Sequence, residues 1–210
     1  MASDPGDPDV PPPPVPTDRL TDWERTEATV DRLFGVEGAD VRGHTVVYED
    51  RRLREAVRHA TGLDRSWRFF FATRLGFRPP LAPGTHVVIL PTVRSEAVRS
   101  FCRDLEDRGV GDVERGRTER VRTGSGKRVR LRQVTGTVPW PEPVDGGFED
   151  PVRVEGWVGI WYDGDFFVAG GAYPRTSLAR ALDAGDDRLA LSPSAARDEL
   201  LELVRGVGDE

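Results

Sequence analysis

The stretch VEGWVGIWYDGDFFVAGGAYP, residues 154–174, decides how the chain is read. Asp163-Gly164 is a pair that favours the positive backbone angles of a two-residue type I′ turn, and apolar residues crowd both sides of it. Residues 152–162 and 165–173 therefore read as the arms of a β-hairpin. With a two-residue turn, Tyr162 faces Asp165, Trp161 faces Phe166, Gly159 faces Val168 and Trp157 faces Gly170. One face then alternates large rings with glycines. It offers a recess above Gly159 and Gly170, floored by Trp157 and Trp161, that suits a small apolar ligand. Trp157, Trp161, Phe166, Gly159 and Gly170 are thus candidate binding residues, although a helix filling the recess would make the same pattern plain packing.

Upstream, residues 113–123 and 128–138 read as a second hairpin, joined by Gly124, Ser125, Gly126 and Lys127. Between residues 115 and 132 there are eight basic residues and one acidic. Val129 and Leu131 alternate with Arg128, Arg130 and Arg132, and Val121 sits between Arg120 and Arg122, so one face displays these arginines near a Lys127 tip. Such a ribbon could lie along a nucleic-acid backbone. Interleaved aromatics, the usual stacking platforms for single strands, are absent from it. The competing reading is a solvated face whose arginines pair with Glu114, Glu119 or the acidic C-terminal segment.

Further out, alternation is clean from 67 to 77: Trp67, Phe69, Phe71, Leu75 and Phe77 point one way, and Arg68, Arg74 and Arg78 the other, as in a half-buried strand. Residues 44–49 form a short strand, followed by a helix with Leu53, Ala56, Val57 and Ala60 on one face and Gly62 at its end. Thr21 with Glu24 makes a capping box, and Trp23, Val30, Leu33 and Phe34 follow at helical spacing until Gly35, which predicts an amphipathic helix. After Pro79, Pro80 and Pro83, residues 86–90 predict an apolar strand. Ser95 then opens a helix carrying Ala97, Val98, Phe101, Cys102 and Leu105. Pro139, Pro141, Pro143 and Gly146-Gly147 mark a long loop, and two helical pieces near 177–184 and 194–204 close the chain. Hairpins dominate and no βαβ alternation runs through, so the fold class is α+β: a curved, mainly antiparallel sheet with flanking helices. Residues 1–17, with Asp4, Asp7, Asp9 and Pro11 to Pro14, read as a disordered acidic tail, leaving one domain over 18–210.

The chain has 210 residues and a net charge of −6, room for one substantial domain with its own core. No apolar run approaches the ~18 residues of a membrane helix, and no signal peptide is evident, so a cytoplasmic setting without membrane partners is expected. Cys102 is the single cysteine and cannot form an internal disulfide. The basic residues are arginine except for Lys127, and asparagine is missing. An acidic, lysine-poor composition of this kind resembles the proteins of salt-loving archaea, where carboxylates keep a surface hydrated.

Chemistry finds little support. His44, His59 and His86 lack any metal-ligand spacing, and one cysteine cannot build a zinc site. Gly124-Ser-Gly-Lys127 lacks the earlier glycine of a phosphate loop and has Arg128 where a magnesium-binding hydroxyl belongs. Asp163 and Asp165 begin like a calcium loop, but Phe167 and Val168 stand where the third ligand and the glycine belong. No cofactor is implied, and no catalytic residue is assigned, although a site assembled from distant residues stays open.

Residues 154–174 resemble the C-terminal hairpin of a haloarchaeal protein family of unknown function. The order before it is also similar: Phe69 to Thr73, then Pro91 and a helix with Leu105, then Val113-Glu114-Arg115 leading into a hairpin. The resemblance spans roughly residues 40–175. It implies lipoproteins with a cysteine just after a signal peptide, a pattern from which the acidic, Pro-rich residues 1–17 and the sole cysteine at Cys102 depart. The order of sheet and helices is also similar to PsbP-like domains, which implies partner binding without chemistry. The expected function is a non-catalytic domain that binds a protein partner or small ligand through its sheet, with nucleic-acid binding along Arg120 to Arg132 or an undetected enzyme site as alternatives.

Overall fold

The computed structural model describes residues 10–36, 38–140, 151–182 and 185–209. Its strands are β1 (Trp23–Val36), β2 (Ala39–Asp50), β3 (Phe69–Arg78), β4 (Gly111–Arg122), β5 (Arg128–Val138), β6 (Val152–Asp163) and β7 (Asp165–Pro174). They form one open sheet in the order β1-β2-β3-β7-β6-β5-β4, antiparallel at every pairing. The helices are α1 (Arg51–Thr61), α2 (His86–Asp107), the single-turn α3 (Leu178–Ala181) and α4 (Pro193–Arg205). The α+β class and the antiparallel sheet are as the hairpin signals require.

Each face of the sheet buries its own apolar layer. On one, Leu53 and Val57 of α1 and Val98, Phe101 and Leu105 of α2 pack with Val134, Val158, Ile160 and Phe166. On the other, Leu200, Leu203 and Val204 of α4 meet Val129, Leu131, Trp157, Trp161 and Phe167. β6 is consequently buried without a break from Val154 to Trp161, which is why its sequence reads as a nearly continuous apolar run. The caps follow local chemistry: Asp50 accepts from the Leu53 amide at 2.9 Å to open α1, and Ser192 accepts from the Ala195 amide at 3.2 Å to open α4.

Three expectations are corrected. The helix expected from Thr21 to Phe34 is the edge strand β1. Its register slips between Arg25 and Glu27 and again between Arg32 and Phe34, and these two bulges break the alternation into a spacing that imitates a helical period. The strand expected at 86–90 is the opening of α2, which runs through Pro91. There Val87 and Val88 stand exposed while Ile89 and Leu90 pack against the core, so a β-branched run is helical because its neighbours supply the packing. Finally, the tail expected over 1–17 is placed from Val10 onward. Pro13 is buried, His44 Nδ1 donates to the Val10 carbonyl at 2.8 Å, and the Gly208 amide donates to the Pro14 carbonyl at 3.1 Å. Residues 1–9 and the loop around Pro141, Pro143 and Gly146-Gly147 lie outside the described residues.

The β6–β7 hairpin forms, one residue out of the expected register. Asp163 pairs with Asp165 across Gly164 alone, so Tyr162 faces Phe166, Trp161 faces Phe167, Gly159 faces Ala169 and Trp157 faces Gly171. Gly164 takes φ 75°, a backbone angle that costs other residues dearly. A shift of one residue sends every side chain of one arm to the opposite face.

Candidate functional site

That shift divides the five candidate ligand residues. Trp157 and Trp161 do share one side, as expected, but they lie buried beneath α4. Phe166 belongs to the other face, ringed by Tyr162 and Phe77 at centroid distances of 5.1 Å. Gly170 also turns that way, toward Phe71. Gly159 faces α4, where an added Cβ would stand 2.3 Å from Leu131 Cδ2. Leu131 and Val129 therefore occupy the space that the recess would need.

The underside of Gly159 opens instead onto a cleft of about 400 Å³ between the first half of α2 and strands β4 to β6, within the size range of small-molecule sites. Its floor is the backbone of Gly159 with Val158 and Ile160, and Pro91, Ala97 and Val98 form the helical wall. Four guanidinium groups line it: Arg94, Arg115, Arg130 and Arg132. Ser95 and Thr118 add hydroxyls, and no carboxylate is among the lining residues.

Each cation arrives by a different local device. Val129 and Leu131 are buried on the α4 side, so alternation turns Arg130 and Arg132 toward α2. On β4, Arg115 pairs with Val134 and Thr118 with Arg132, the register slipping between them. That bulge brings two residues of opposite parity to one face, re-aiming Arg115 into the cleft. Arg94 stands three and four residues before Ala97 and Val98, on the buried stripe of α2. Plain alternation conceals Arg115, and a helix read as beginning at Ser95 excludes Arg94. An arginine in register with an apolar stripe was the available signal.

The electrostatics are those of an uncompensated site. Arg94 Nε has no hydrogen-bond partner among the described residues; Arg68 and Arg197 share that feature, but unlike Arg94 each is ion-paired with a described carboxylate. Burial, then the nearby Arg130 charge, hold the Arg94 guanidinium below its ordinary value. Arg132 donates to the Gly116 carbonyl at 2.9 Å, a neutral partner.

Beyond the cleft, Arg120 stands opposite Arg130 and Arg122 opposite Arg128. With Val121 and Val129 these four line a second depression, of about 680 Å³, in which Arg130 is shared with the cleft. Arg122 donates to the Gly126 carbonyl at 3.2 Å, and Lys127 leaves the ladder for Asp163 at 3.3 Å. Glu119 turns away, accepting from Arg197 at 2.6 Å through both carboxylate oxygens. Among the described residues, no carboxylate pairs with Arg120, Arg122, Arg128 or Arg130.

The buried carboxyl on the other face is satisfied where it stands. Glu155, beneath α4, accepts from Trp157 Nε1 at 3.0 Å, Gln133 Nε2 at 2.8 Å and the Tyr173 hydroxyl. Burial pushes its carboxyl up, but these bonds outweigh burial and hold it below the ordinary range; burial and the Glu155 contact raise the Tyr173 phenol. His86 stacks on Tyr162 at 4.1 Å and His59 is exposed. Among the described residues, no three His, Cys, Asp or Glu side chains gather as a metal site, and no helix is long and apolar enough to cross a membrane.

Fold and site together define an open antiparallel sheet with helices on both faces and an arginine-lined cleft under one of them. Residues 12–208 match the family described as a domain of unknown function (DUF6517), and the chain belongs to that family. No curated protein and no solved structure matches it.

Proposed function

We propose that this domain is a non-catalytic binding module that takes a small anionic ligand in the cleft between α2 and the sheet. The observation that carries this reading is the set of Arg94, Arg115, Arg130 and Arg132 around about 400 Å³ without a lining carboxylate. Guanidinium forks match phosphate and carboxylate oxygens in pairs. An apolar floor makes each such bond stronger by excluding water. The acidic, lysine-poor composition supports a haloarchaeal setting. At molar salt the Debye length falls to about 3 Å, so only direct contacts of the kind a cleft provides would persist.

The test is calorimetric titration of the full chain with pyrophosphate at low salt. Binding is expected, and Arg94→Ala should weaken it about tenfold or more. A chain that binds neither pyrophosphate nor citrate ends the proposal. The alternative of a nucleic-acid backbone on the Arg120 to Arg132 hairpin draws on the same cations, and the cross-strand arginine pairs favour it.

A further inference from the structure

Resting on the cleft reading, we infer that the ligand is a chain of linked phosphate groups, a base-free polyphosphate, which fills the cleft and continues over the arginine ladder. The ladder is what a single small anion leaves unexplained. Like charges placed directly opposite on neighbouring strands destabilise a sheet, and here two such pairs follow one another, Arg120 with Arg130 and Arg122 with Arg128. The chain has 36 acidic residues to place, yet none of the described ones neutralises these four. The nearest in sequence, Glu119, is committed to Arg197.

Geometry gives the ladder a direction. Successive same-face positions along a strand are about 6.5 Å apart and cross-strand partners about 5 Å, so an extended anion laid along the ladder touches the four cations in turn, by direct contacts that outlast a Debye length of about 3 Å at molar salt. Arg130 lines both depressions, which makes cleft and ladder one continuous cationic track. A linear polyanion can meet every cation on it; a compact one reaches the cleft alone. Neither lining contains an aromatic ring. Bases would find no stacking platform there, and this favours a chain that carries charge without bases over a single-stranded nucleic acid.

Competition and anisotropy measurements on the full chain test this with pyrophosphate, long-chain inorganic polyphosphate and oligo-dT. Affinity should rise from pyrophosphate to the long chain, and the long chain should show the steeper salt dependence. The double variant Arg122→Ser/Arg128→Ser should weaken the long chain about tenfold and lower its salt slope by about two, while leaving pyrophosphate binding unchanged. Unliganded, that variant should melt no lower than wild type, because it removes like-charge repulsion; this separates lost binding from lost folding. Equal affinity for pyrophosphate and the long chain, or indifference of the long chain to the double variant, overturns the track and leaves the cleft reading intact. Oligo-dT binding more tightly than polyphosphate of equal charge overturns the base-free assignment in favour of nucleic acid. Absence of binding by all three removes both readings together.

Discussion

Two arginine-rich regions occupy opposite faces of one sheet, and they treat the same side chain differently. Toward α4, Arg68 is 3% exposed, paired with Asp50 at 3.1 Å and Glu199 at 2.9 Å, and laid over the Trp23 ring at 4.7 Å. Arg197 is held at both oxygens of Glu119 and lies over Trp157 at 5.6 Å. Toward α2, Arg94, Arg115, Arg130 and Arg132 surround open space and have no carboxylate partner among the described residues. Where charge is meant to hold the fold it is matched and covered. Where it is left unmatched, folding gains nothing from it, and a role toward something outside the chain becomes the economical explanation.

The sharpest way to break this contrast is Arg68→Ala. It strands Asp50 in a nearly closed environment, and stability in urea should fall by about 3–5 kcal/mol. A loss near zero would mean that the two regions differ only in appearance.

Next is Glu155→Gln, which removes the anion that collects three donors beneath α4. A fall of about 2 kcal/mol at neutral pH is expected in the same assay. The pH dependence has a definite sign. A carboxyl held below its ordinary range contributes stability above that range and loses it as pH falls through the folded-state value. Wild type should therefore weaken more than Glu155→Gln between neutral pH and about pH 3.

Glu119→Gln frees Arg197 and should cost about 0.5–1 kcal/mol by thermal melting, the pair being partly solvated. Smallest of all is Arg130→Ser on the ladder. Its effect on unliganded stability should stay within about 0.5 kcal/mol, and toward the stable side. Marked destabilisation by this variant would turn the ladder into structural support and remove the contrast.

Much of the fold was legible because its signals are local. The turn residues at 124–127 and 163–164 announce two hairpins, the apolar stripe of Leu53, Ala56 and Val57 ending at Gly62 announces α1, and the alternation from Trp67 to Phe77 announces β3. Its errors arose where distant partners decide. β1 is a strand because β2 pairs with it, and Val87 and Val88 are helical because the rest of α2 is anchored. The site was half legible. Arg130 and Arg132 follow from alternation with Val129 and Leu131, whereas Arg115 depends on a bulge and Arg94 on a helix beginning nine residues before Ser95. The aromatic recess failed through one residue of register at Gly164, an error invisible to composition that leaves Trp157 and Trp161 together but sends Phe166 and Gly170 to the other face.

The bulge between Arg115 and Thr118 has an evolutionary corollary. The bulge seats Arg115 and Thr118 on one face although they stand three apart; were the strand to pair regularly from Thr118 back to Arg115, Arg115 would swing to the α4 side, with every arginine still present in the gene. The valence of the cationic cleft thus depends on where the pleat is interrupted as much as on alphabet. On the proposed reading, relatives in which the bulge has moved out of this segment should differ in ligand charge even where their arginine content is the same.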